Sequence, residues 1–105
     1  MIDLPEQHLA LVTRILAERV PESEVLAFGS RVSNTAGKHS DLDLAVVGSE
    51  KLPARVLSEL REAFEESNLP IRVDVLDWHR ISPEFRDVVR RRCEVLQSPG
   101  AENAD

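Results

Sequence analysis

Apolar residues recur at helical spacing from Pro5 to Arg19, where Leu9, Val12 and Leu16 form one stripe that Ile15 widens. Pro21 ends that helix. Val25-Leu26-Ala27-Phe28 is a continuous apolar run between Pro21 and Gly29, the pattern of a short buried strand. Ser30 to Gly37 reads as a turn with one helical turn in it. Asp41 to Val47 reads as a second strand, stopped by Gly48. Pro53 to Ser67 carries Val56, Leu57, Leu60 and Phe64 on one face of a long helix, closed by Asn68 and Pro70. Ile71 to Asp77 is the third strand. Ser82 is placed as an N-cap, with Pro83 in the first helical position. The helix that follows is expected to turn Phe85, Val88, Val89 and Cys93 inward, and Glu94 to Gln97 closes the pattern as a last short strand. The order predicts an α/β (α+β) domain, with helices packed on a small sheet. The domain spans residues 1–97, and 98–105 read as a flexible tail.

A chain of 105 residues fits one domain and buries a core without staples. Cys93 is the only cysteine, so no intrachain disulfide forms, which fits a reducing, cytoplasmic setting. No apolar run nears the length of a membrane span, and the N-terminus lacks the basic start and apolar stretch of a signal peptide. A net charge of −6 argues against a broad grip on nucleic acid. The absence of Tyr, with three Phe and one Trp, argues against a base-stacking platform.

The acidic balance acquires a meaning between Gly29 and Asp74. Gly29-Ser30 follows a strand, and Asp41-Leu42-Asp43 opens the next. Side chains alternate along a strand, so Asp41 and Asp43 share one face while Leu42 and Leu44 point into the core. Asp74, inside Val73-Asp74-Val75, joins them if its strand lies alongside. Three gathered carboxylates repel one another, and the cluster makes sense with cations between them. Magnesium prefers such oxygen ligands, together with substrate phosphates and water. Glycine lets backbone approach a phosphate closely, a serine hydroxyl can donate to it, and Arg31 is placed to balance its charge.

Phe28-Gly29-Ser30-Arg31, then Ser40-Asp41-Leu42-Asp43-Leu44, then Val73-Asp74-Val75 resembles the nucleotidyltransferases of the DNA polymerase β-like superfamily. More narrowly, the set is similar to the minimal nucleotidyltransferases that form the antitoxin half of HEPN–MNT toxin–antitoxin pairs. The resemblance runs from about Glu6 to Gln97. It implies a mixed-sheet polymerase β-like fold, two magnesium ions held by Asp41, Asp43 and Asp74, and triphosphate contact through Ser30 and Arg31. It implies Asp74 as the carboxylate that receives or positions the acceptor's proton. It further implies transfer of AMP from ATP to a tyrosine of a partner HEPN ribonuclease toxin. Minimal members often read Gly-Ser-Arg-Ala-Arg-Gly, whereas Val32-Ser33-Asn34 follows Arg31 here. That departure motivates a second reading, an antitoxin that neutralises by binding alone. A third is a small-molecule nucleotidyltransferase with a helical partner subunit.

The remaining polar residues read more plainly. Lys38 could offer a second cation to the triphosphate. His39 is expected as a solvated loop residue, His8 and His79 as surface residues, and Trp78 as packing at the sheet end. Asp77 has opposite strand parity to Asp74 and falls outside the carboxylate cluster. Arg86, Arg90, Arg91 and Arg92 read as a solvated helix face near a C-terminus that favours cations.

Overall fold

The computed structural model describes residues 2–33, 37 and 40–99. Helix α1 (Glu6–Arg19) leads to β1 (Glu24–Phe28), the short helix α2 (Ser30–Ser33) and β2 (Leu42–Val47). Helix α3 (Ala54–Glu65), β3 (Val73–Asp77), a 3-10 turn (Trp78–Arg80), α4 (Pro83–Arg91) and β4 (Cys93–Gln97) follow. Asn34, Lys38, His39 and the end of the expected tail, 100–105, lie outside the described residues. No described helix is long and apolar enough to cross a membrane.

Among the described residues the strands form one mixed sheet in the order β3-β2-β1-β4. β1 pairs antiparallel with β2 and with β4, whereas β2 and β3 run parallel. A parallel pair needs a crossover, and α3 supplies it. Strand alternation then sorts the core into two layers. Val25, Ala27, Leu42, Leu44, Val46 and Val75 face α1 and α3, where Val12, Leu16, Leu60 and Phe64 meet them. Leu26, Phe28 and Ala45 face the other way and pack with Trp78 and Val89. β1 is buried on both faces, which is why its sequence runs apolar without alternation.

Ser82 caps α4 as expected, its Oγ accepting from Phe85 N at 3.1 Å, with Pro83 in the first turn. The inward face expected of α4 is corrected. Only Val89 is fully buried; Phe85 is 37% exposed and Val88 49%. Val89 is the one buried residue of this nine-residue helix. Cys93 belongs to β4 rather than to that helix, opposite Phe28, and packs into the second core layer. Of the arginine face, Arg90, Arg91 and Arg92 are exposed as expected, and Arg86 is half-buried. Arg90 and Arg86 stack over the Trp78 ring, with Cζ at 4.7 and 5.5 Å from its centroid, and Arg86 Nε donates to Trp78 O at 3.0 Å. Trp78 itself packs at the sheet end, as its sequence context suggested.

Candidate active site

Trp78, and Val89 of α4, pack on part of the second face of the sheet. The carboxylates stand on the same face, where β2 and β3 begin. Asp43 is in direct parallel register with Asp74 on the neighbouring strand, and Asp41 precedes β2 by one residue on the same face. Phe28, the last residue of β1, lies opposite Asp43 on the other side. The turn Gly29-Ser30 therefore leaves β1 beside the carboxylates, because an antiparallel pair places the end of β1 at the start of β2.

Gly29 is required there on two counts. Its φ of 84° is the left-handed region that side chains rarely adopt, and a Cβ would collide with the Asp43 carboxylate. Val32 N and Ser33 N both return to Gly29 O, at 3.0 and 3.1 Å, so the chain turns straight into α2.

The carboxylates sense one another. Burial, then the charge of Asp74, then that of Asp41 hold the Asp43 carboxyl above its ordinary pKa. Among the described residues no three His, Cys, Asp or Glu side chains are drawn close enough to hold a metal ion by themselves. The two observations differ in reach: charges interact over longer distances than a coordination sphere spans. Magnesium takes only one or two protein carboxylates and completes its shell with phosphate and water, so the donor set fits it. The mutual repulsion is the cost a cation would remove.

Arg72, two residues before Asp74 and so on the same strand face, pairs with it, Nε to Oδ1 at 3.3 Å. Arg72 and Arg61 line an open cleft of about 680 Å³ that also takes in Asp43, Asp74, Phe28 and Phe85. Arg61 reaches from α3 to the outward carbonyl of Val75 on the edge strand, at 2.8 Å from Nη2. Sequence reading missed both arginines. Arg72 was legible through its parity with Asp74; Arg61 sits in a mixed helical pattern and gave no signal.

Arg31 is held by backbone carbonyls. It is 5% exposed. Its Nε donates to Ser40 O at 2.9 Å and its Nη1 to Asp3 O at 2.7 Å. Asp77 lies apart from the cluster, as its parity implied, and is fully buried. It accepts from Leu52 N, His79 N and Arg80 Nε, at 2.9, 3.0 and 3.2 Å. His79, expected at the surface, is half-buried, with Nε2 2.7 Å from Gly48 O.

The family model described as polymerase beta, nucleotidyltransferase, matches residues 12–99. The chain belongs to this family. It is 47% identical over 96 residues to the probable protein adenylyltransferase MntA of Haemophilus influenzae, covering 91% of this chain and 84% of that protein. Among solved structures it resembles a toxin–antitoxin complex with AMP-PNP, at a TM-score of 0.73 and 24% identity over 96% of this chain and 79% of the other. It also resembles the complex of tri-AMPylated Shewanella oneidensis HEPN toxin with MNT antitoxin, at 0.66 and 19%, over 94% and 76%. At these identities the structural likeness speaks for the fold.

Proposed function

We propose that this protein transfers AMP from ATP to a hydroxyl, a tyrosine hydroxyl, on a partner HEPN-type toxin and thereby inactivates it as a cytoplasmic antitoxin. The observation that carries the reading is the parallel register of Asp43 with Asp74 beside the Gly29-Ser30 turn. The MntA relative, named a probable protein adenylyltransferase, supports the choice of a protein acceptor. The acceptor has to be external, because this chain contains no tyrosine.

In this reading Gly29 lets the triphosphate approach the backbone and Ser30 Oγ donates to a phosphate oxygen. Asp41, Asp43 and Asp74 would hold magnesium, two ions in the full site, and the metal would supply charge neutralisation for the triphosphate and the departing pyrophosphate. The acceptor oxygen forms a bond to the α-phosphorus as the bond from that phosphorus to the α–β bridging oxygen breaks. Pyrophosphate leaves with the bridging electron pair, and Asp74 receives the hydroxyl proton. The cleft wall of Phe28 and Phe85 gives an aromatic acceptor an apolar approach to that carboxylate.

The test is mass spectrometry of the toxin after incubation with this protein, ATP and magnesium, the protein being substoichiometric. AMP-sized increments on a tyrosine peptide of most toxin molecules are expected. Neutralisation that requires one antitoxin per toxin, with the toxin mass unchanged, would favour inhibition by binding alone.

A further inference from the structure

Arg31 joins the N-terminal segment, 28 residues away, to the stretch just before β2. Its guanidinium donates to the backbone carbonyls of Asp3 and Ser40 and approaches that of Gly37 at 3.5 Å. The contact with the N-terminal segment is returned, since Asp3 N donates to Arg31 O at 2.7 Å. Gly37 and Ser40 are also bonded to each other: Gly37 N donates to Ser40 Oγ at 2.8 Å and Ser40 N to Gly37 O at 3.2 Å.

Ser40 immediately precedes Asp41. A carbonyl fixed at Ser40 fixes the start of the next residue, because the peptide unit is planar and rigid. Something must do so. Asp41 and Asp43 are like charges on one strand face, and without a cation their repulsion pushes Asp41 outward. Asp41 lies before the first residue of β2, so the sheet ladder alone does not hold it. A planar fork of five donors suits several carbonyls at once, which a lysine ammonium on a flexible stem does not.

We propose that Arg31 is a positioning residue, whose guanidinium ties the N-terminal segment to the Ser40 carbonyl and so fixes Asp41 beside Asp43. The family-based expectation that it touches triphosphate is replaced by a bond to the peptide that carries a metal ligand. The inference rests on the reading of Asp41 as a magnesium ligand.

Four full-length proteins test it: wild type, Arg31→Lys, Ser40→Ala and Asp3→Ala. Each is assayed for transfer to the toxin against magnesium and ATP, and for amide hydrogen exchange over residues 40–42. Arg31→Lys should need about tenfold more magnesium for half-maximal rate, and Ser40→Ala about fivefold more, from the loss of a charged and a neutral hydrogen bond. In both, kcat should fall, the KM for ATP should stay within about twofold, and exchange over 40–42 should quicken. Asp3→Ala should match wild type, because Asp3 contributes only its backbone. The proposal is overturned if Arg31→Lys raises the KM for ATP with magnesium dependence and exchange unchanged, or if Ser40→Ala is silent. If Arg31→Lys does not fold, Ser40→Ala still decides. Absence of any transfer by wild type would sink the functional reading, whereas the exchange measurement would still report on the latch.

Discussion

The carboxylate of Asp43 stands over Gly29, with Cγ 3.2 Å from where a Cβ would be. Gly29→Ala therefore meets a left-handed backbone, at a cost of about 1–2 kcal/mol, and also displaces a proposed metal ligand. We expect a modest fall in melting temperature together with a loss of transfer far larger than the unfolded fraction explains. Thermal melts and initial rates on the same preparation test the pairing; a rate that merely tracks folded fraction would separate Gly29 from the site.

The raised pKa of Asp43 makes a statement about pH. Folding favours its protonated form, so its contribution to stability is fully present below its unfolded-state value. That contribution is lost as pH rises through the higher folded-state value. Without metal, wild type should lose a stability increment across that acidic window which Asp43→Asn does not lose. Denaturant midpoints of both proteins, measured in steps of pH, should diverge there; parallel curves would show that the carboxylates do not press on one another.

Neutralising two carboxylates together separates a metal site from an architectural one. Asp41→Asn with Asp43→Asn should fold at least as well as wild type without metal, because repulsion is removed at little change in volume. Magnesium with ATP should raise the melting temperature of wild type and not of the variant, by mass action on the native state, and transfer should vanish. A much less stable variant, beside a wild type indifferent to magnesium, would make the cluster structural.

Asp77 should behave in the opposite way. Its buried carboxylate satisfies two backbone amides and Arg80, joining the 48–52 loop to the end of β3. Asp77→Ala should cost about 3 kcal/mol by leaving those donors without their acceptor. The rate per folded molecule should change little. Denaturant unfolding and active-site titration together check this.

The exposed side of α4 offers a place for the acceptor protein, since Phe85 also lines the cleft and packs edge-on against Phe28 at 5.9 Å. Val88 lies one turn further along. Val88→Asp should weaken toxin binding about tenfold, the scale of a truncated interface contact, while leaving the thermal response to magnesium and ATP intact. Calorimetric titration with toxin would expose an unchanged affinity.

Much of this was legible because strand parity is a strict rule. The inward Leu42 and Leu44, the outward Asp43 and the separate fate of Asp77 all follow from a period of two, and the structure agrees with each. The third carboxylate needed one further condition, adjacency of β3 to β2, which the parallel pair supplies. Helix facing was less legible at α4, where Phe85 and Val88 satisfy the same spacing as Val89 yet only Val89 is fully buried. The surroundings of Arg31 were less legible for a different reason. A cation after a Gly-Ser turn has a ready partner in phosphate, and nothing local announces that carbonyls from residues 3 and 40 converge on it. Tertiary acceptors are invisible until the chain is folded.

The stack of Arg90 and Arg86 on Trp78 also makes the molecule a spectrometer of its own assembly. Trp78 is the single tryptophan, the chain has no tyrosine, and the ring sits beneath the helix that carries Phe85 and Val88. Intrinsic emission excited at the red edge, where tyrosine does not absorb, reports that ring unless the partner brings a tryptophan of its own. A ligand that shifts α4 changes the guanidinium contacts and with them the emission. In an assembled complex every tyrosine signal belongs to the other protein, so its modification can be followed optically in a mixture, with no label on either chain.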